Sequence, residues 1–105
     1  MLSLKPGVRI TGMRPEILLA ILVAERAYAE AGCEPMITSC IEGKHSVGSF
    51  HYAGSAADLR TNHVPAEKLQ PLVTKIRAAL GADFDVVLEV DHLHLEFQPK
   101  QPLTA

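Results

Sequence analysis

The chain contains no tryptophan, and aromatic residues make up 5% of it. Proteins that hold single-stranded nucleic acid stack bases on aromatic side chains, so the composition argues against such a platform. There is no excess of positive charge either: ten Lys and Arg stand against twelve Asp and Glu. A nucleic-acid or membrane-surface binder usually shows a basic stripe, and none is legible. Long apolar runs are also missing. Leu18–Val23 is apolar but is followed by Glu25 and Arg26, far short of the roughly 20 residues that a membrane-spanning helix needs. Cysteine is scarce. On the cytosolic prior Cys33 and Cys40 are expected to be reduced, half-buried thiols, with a disulfide as the alternative. The segment Met1–Lys5 carries one positive charge, and Pro6 and Gly7 interrupt it before any apolar run begins, so no signal peptide is expected.

What remains is a chain of 105 residues, 48% hydrophobic, which suits a single domain over residues 1–105 with one modest core. A domain of this size hides only about two-thirds of its unfolded surface from water. Val8–Thr11 is expected to form a short strand. From Pro15 to Ala31 the pattern is helical, with Ile17, Leu18, Ile21, Leu22, Ala24, Tyr28 and Ala29 broadly following a buried stripe. Pro15 suits the first turn, Glu16 complements the positive helix end, and Gly32 is placed to stop it. Pro35–Ser39 is expected as a strand, Cys40–Gly54 as a loop, and Ser55–Leu59 as a strand entering the core. A second helix is expected from Pro65 to about Leu80, with Leu69, Leu72, Val73, Ile76 and Leu80 on one side and Gly81 at its end. Phe84–Glu89 and His92–Phe97 are strand-like, joined by a bend at Val90–Asp91. The order suggests an α+β domain, a small antiparallel sheet with two main helices packed on it.

Five histidines in a chain this short is a high number, and their placement carries chemistry. His45 stands in the loop, and His63 just ahead of the second helix is expected to be solvated. His51 opens a compact segment that runs through Gly54, Ser55, Ala56 and Ala57 to Asp58. His92 and His94 lie two apart on the last strand and so point to one face of the sheet. A hydrolytic zinc site needs three imidazole or carboxylate ligands at about 2.0–2.2 Å and one open position. It also needs a nearby base and a donor for the oxyanion. His51 and Asp58 can supply two ligands if a turn at Gly54 folds the chain back. One of the two strand histidines can bind metal while the other stands beside the open position, and Asp91 at the preceding bend can face water. Each residue alone also has a plainer reading: a turn residue in a loop, an incidental His-x-His on a strand. Spacing by itself leaves both open.

The joint pattern resembles the zinc peptidases of the D-alanyl-D-alanine carboxypeptidase type, grouped with lysostaphin-like enzymes and the hedgehog signalling domain through a shared metal-site fold. The family motif Ser-x-His-x-x-Gly-x-Ala-x-Asp is met by Ser49, His51, Gly54, Ala56 and Asp58, and a second motif, Asp-His-x-His, by Asp91, His92 and His94. Leu4–Pro15, Ile37–Ser39 and Gly43–Ser46 look like short phage and prophage members. The resemblance implies one zinc ion per chain, held by His51, Asp58 and His94. It implies Asp91 as general base and His92 as the residue that stabilises the oxyanion. It implies a peptidoglycan peptide as substrate, cut either as a D-Ala-D-Ala carboxypeptidase would or at an L-Ala-D-Glu-type bond. Such a protein is expected to be a monomer with no nucleic-acid or membrane partner, made in the cytoplasm and reaching the cell wall through phage-type or lysis-dependent release. Many family members carry an arginine after the Thr-Ser segment to grip a substrate carboxylate. This chain reads Cys40-Ile41-Glu42-Gly43-Lys44-His45 there, which leaves Lys44 and Arg60 as candidates. Glu89 repeats, relative to His92, the spacing of Asp91 to His94, and would be the base if His92 were the ligand. Glu96 shares the strand parity of the histidines and can orient a ligand. The alternative function is a non-catalytic, zinc-stabilised phage structural or assembly domain.

Overall fold

The computed structural model describes residues 1–40 and 54–99. Two helices and five strands follow in the order β1 (Ser3–Leu4), α1 (Pro15–Glu30), β2 (Met36–Ser39), β3 (Ala56–Arg60), α2 (Ala66–Leu80), β4 (Phe84–Leu88) and β5 (His92–Phe97). The strands form one sheet in the order β1-β2-β3-β5-β4. β1 runs parallel to β2 and every other neighbouring pair is antiparallel. The domain is therefore α+β as expected, but its sheet is mixed rather than purely antiparallel.

The parallel edge replaces the expected strand at Val8–Thr11. A turn at Pro6–Gly7, with the Val8 N–H donating to the Lys5 carbonyl at 3.1 Å, carries the chain off the edge of β2 before that segment begins. Val8 packs against the core from outside the sheet, while Ile10, two residues on, stays 45% exposed. The pairing falls instead to Ser3 and Leu4, opposite Met36 and Ile37.

Both helices pack on one face of the sheet. α1 begins with Pro15 and carries Glu16 in its first turn, a proline whose missing N–H would be unpaired there anyway and a carboxylate at the positive end. At its C-terminus Gly32 takes a positive φ of 76°, and the Cys33 N–H closes onto the Tyr28 carbonyl at 2.9 Å, as helix-ending glycines commonly allow. The buried stripe is Ile17, Ala20, Ile21, Ala24, Ala27 and Tyr28, not the leucine-rich one that hydrophobicity suggests. Leu18, Leu19 and Leu22 face outward while alanines face in, because small side chains let the helix axis approach the sheet and α2 closely. α2 buries Leu72, Val73 and Ile76 as expected. The central core joins these residues to Leu59, Val86, Leu93 and Leu95, and a second cluster of Met13, Ile17, Ile21, Ile37, Cys40 and Ala57 fills the β2 end. Three polar ties fix the layers: Tyr28 Oη donates to the Arg60 carbonyl at 2.8 Å, Arg77 donates twice to the Val86 carbonyl, and Lys68 Nζ donates to the Ala31 carbonyl. Cys33 is half-buried and Cys40 fully buried; both are thiols. Among the described residues no helix is long and apolar enough to cross a membrane.

Candidate metal and hydrolytic site

The face of the sheet opposite the helices holds the candidate chemistry, and strand register puts it there. Side chains alternate along a strand, so Leu59, Leu93 and Leu95 turning into the core force Asp58, Arg60, His92, His94 and Glu96 to the other side. In the antiparallel β3–β5 pair, Asp58 lies directly opposite His94, Arg60 opposite His92, and Ala56 opposite Glu96. Two segments 36 residues apart in sequence thus deliver a carboxylate and an imidazole to one point.

The contact is close. His94 Nδ1 is 2.8 Å from Asp58 Oδ1, and His94 Nε2 is 3.1 Å from Glu96 Oε1. Both ring nitrogens face carboxylate oxygens, so in this arrangement the ring donates twice as an imidazolium. Its pKa is correspondingly pushed up to about 9, chiefly by the hydrogen bond to Asp58 and further by Glu96, against the opposing effect of burial. His92 stands beside this pair, with Nε2 3.8 Å from Asp58 Oδ2 and Nδ1 2.7 Å from Asp91 Oδ1. That second hydrogen bond is the main cause holding the Asp91 carboxyl below its ordinary range. Asp91 sits at the bend before β5 with its side chain 72% exposed, whereas Asp58 is 13% exposed. The Thr61 N–H, donating to the Asp91 carbonyl at 3.2 Å, fixes that bend.

Gly54 governs how the chain approaches β3. Its φ is +72°, and an added Cβ would stand 2.5 Å from the Gly12 carbonyl oxygen and 3.3 Å from Met13 Cα. Its own carbonyl accepts the Arg14 N–H at 2.9 Å. Only glycine combines that conformation with that backbone approach. Ala56 and Ala57, both fully buried, complete the run of small residues leading to Asp58.

Of the sequence-derived site residues, Asp58, His92, His94, Asp91 and Glu96 are therefore brought together. Arg60 stands across from His92. Glu89 lies in the β4–β5 turn, exposed, with its backbone N–H on the His92 carbonyl at 2.9 Å. His51 and Lys44 lie outside the described residues, as do Ser49 and His45. His63 is exposed as expected, but it is not merely solvated: Nε2 lies 2.6 Å from the Glu34 carbonyl and its ring stacks on Tyr28. Among the described residues no three His, Cys, Asp or Glu side chains converge as a cation cage, which leaves the expected triad resting on Asp58 and His94.

Sequence reasoning missed one feature. A polar cleft of about 460 Å³ opens beside His92, lined by Lys5, Thr38, Arg60, Asn62, Asp91 and His92. Lys5 enters it from the end of β1, where its N–H donates to the Ile37 carbonyl at 2.8 Å. A single lysine near the N-terminus offers no periodic or motif signal; only the parallel pairing of β1 brings it near.

Compared with known proteins, the chain matches no family model, no curated protein and no solved structure.

Proposed function

We propose that the chain is a zinc-dependent peptidase that hydrolyses peptidoglycan stem peptides, by removing terminal D-alanine or by cutting an L-Ala-D-Glu-type bond. The observation that carries this reading is the meeting of Asp58 and His94 side chains, with His92 and Asp91 in line beside them. The family resemblance of the two motifs adds His51 as the third donor.

The donor set fits zinc. A borderline cation takes imidazole nitrogen and carboxylate oxygen readily, and Asp58 and His94 bring one of each together. To hold the ion His94 would give up the proton on the ligating nitrogen, since a ligating imidazole must be neutral there. His51, Asp58 and His94 would hold the ion, and Glu96 on the far nitrogen of His94 fixes the ring orientation, a common outer-shell arrangement. When bound, zinc supplies an acidified water at neutral pH and polarises the scissile carbonyl.

The remaining chemistry belongs to the chain. Asp91 is exposed to incoming water and kept ionised by its hydrogen bond from His92, which is the form a general base must start from. It takes a proton from water and returns it to the leaving amine. His92 meets Asp91 through Nδ1 and stands beside the Asp58–His94 pair, where its ring would stabilise the developing oxyanion. Asp91 suits the base role better than Glu89, because the Asp91 carboxylate is hydrogen-bonded to the His92 ring, whereas Glu89 meets His92 through its backbone N–H. On this reading the protein is made in the cytoplasm and meets its substrate after phage-type or lysis-dependent release.

The test is incubation of the zinc-loaded protein with purified peptidoglycan, with released peptides identified by mass spectrometry. Free D-alanine marks carboxypeptidase action, and new L-alanine C-termini mark endopeptidase action. Asp91→Ala should retain zinc and lose at least about 10²-fold in turnover, the usual scale for a general base. No release from any wall type, with zinc still bound, would overturn the enzymatic reading in favour of a non-catalytic zinc-stabilised domain.

A further inference from the structure

We infer that the outer face of α1 is a self-association surface, on which a second copy of this chain docks antiparallel through Leu19 and Leu22, with Glu16 of each copy pairing with Arg26 of the other. The inference departs from the expected monomer and does not depend on the peptidase reading.

The apolar part of the surface is continuous. Leu4, Ile10, Leu18 and Leu22 line one groove beside α1, and Leu19, Leu22, Val23 and Ala79 line another between α1 and α2. Leu22 belongs to both and is 54% exposed, and Leu19 is 62% exposed. Apolar residues exposed singly need no explanation, but a contiguous band marks a contact surface. It lies on the helix side of the sheet, away from Asp58 and His94, so a partner seated here leaves that face open.

Charge says what the partner is. A two-fold interface uses the same patch twice, so the patch must complement its own reversed copy. Along α1 the positions 16, 19, 22 and 26 follow one side of the helix at three- and four-residue spacing. That side reads acid, two leucines, base. A two-fold axis between residues 19 and 22 sets Leu19 against the partner's Leu22, and brings Arg26 to the partner's first turn, where Glu16 lies. Both charges are available. No described residue pairs with the Glu16 carboxylate. The Arg26 side chain is 84% exposed and reaches Glu30 only at 3.7 Å, and Glu30 is also held by Lys75. A lipid surface would instead favour a flank of one sign, rich in Lys and Arg, whereas Glu16, Glu25 and Glu30 accompany Arg26 along this helix. A helix of 16 residues is about 24 Å long and about 10 Å across, so the pair covers less than the roughly 800 Å² per partner of a standard interface. The dimer is therefore reversible and concentration-dependent.

The experiment is sedimentation of the full chain from micromolar to near-millimolar concentration. The weight-average mass should climb from that of one chain toward that of two. Leu22→Ala, at an exposed position, should weaken the association about tenfold or more, because the change removes a leucine from both halves of the interface. The charge pairing has its own readout. Arg26→Glu and Glu16→Arg should each weaken self-association, since each sets like charges together twice. Equimolar mixing of the two variants should restore the dimer, because each then meets its opposite at both ends, and a misfolded variant could not be rescued in this way. A mass that stays at one chain throughout, a dimer unaffected by Leu22→Ala, or single-charge variants that mixing fails to rescue would each overturn the inference. So would a monomer that instead binds phosphatidylcholine–phosphatidylglycerol vesicles through Leu19 and Leu22, which would give this face to a membrane.

Discussion

Gly54→Ala is the substitution for which the structure sets the size of the effect most directly. Two costs add. The backbone at residue 54 lies at φ +72°, where an L side chain costs about 1–2 kcal/mol. The new Cβ would also meet the Gly12 carbonyl oxygen at 2.5 Å, and backbone cannot swing aside as a flexible side chain can. Relieving that overlap means shifting the Gly12–Met13 segment, at the usual overpacking cost of about 1–3 kcal/mol. The sum, roughly 2–5 kcal/mol, is a large share of a typical domain's total stability of about 5–15 kcal/mol. Gly7→Ala is the internal control: its φ is +93°, with no atom within 4 Å of an added Cβ. It should show the conformational cost alone, and the loss of chain freedom in the unfolded state is common to both variants and cancels. The assay is urea denaturation of zinc-free protein followed by circular dichroism, with the slope checked for constancy. Gly54→Ala should lose at least about 1 kcal/mol more than Gly7→Ala, which for a domain of this size corresponds to roughly 4–8 °C in Tm. Equal losses in the two variants would show that residue 54 does not press on Gly12, and the account of how the chain is led to Asp58 would fail.

Two further outcomes follow from the hydrogen bonds. Tyr28→Phe removes the donor to the Arg60 carbonyl and should cost about 1–2 kcal/mol; a change below about 0.5 kcal/mol in a denaturation experiment would deny that bond a structural role. In zinc-stripped protein the His94 pKa is raised above its unfolded value by its carboxylate partners. Its stabilisation should therefore be complete below about pH 6.5 and be lost as pH rises through about 9. An NMR titration of the His94 ring together with denaturation across that window checks the sign. A ring that deprotonates near its unperturbed value, or a stability flat across the window, would contradict the Asp58–His94–Glu96 chain.

Much of the fold was legible because it rests on periodicity. The three-to-four spacing of α2 and the alternating residues of β5 follow from which side chains must leave water. What was not legible depended on comparisons between elements. Leu18 and Leu22 are more hydrophobic than Ala20 and Ala24, yet the alanines face in, because the closeness of a helix to its sheet is a tertiary property. A strand of only two residues, Ser3–Leu4, carries no pattern at all, so the mixed character of the sheet was hidden and Lys5 with it. For the site, the parity of His92, His94 and Glu96 could be read from the strand. That Asp58 lies opposite His94 required the register of β3 on β5, which only the core contacts of Leu59, Leu93 and Leu95 determine.

The central claim is that one divalent cation is held by His51, Asp58 and His94. Elemental analysis of the purified protein after exchange into zinc and removal of excess tests it most directly. The account predicts one zinc per chain, and none in Asp58→Ala, His94→Ala or His51→Ala. A wild-type protein that retains no zinc, or an Asp58→Ala and His94→Ala double variant that still holds a full equivalent, would contradict it.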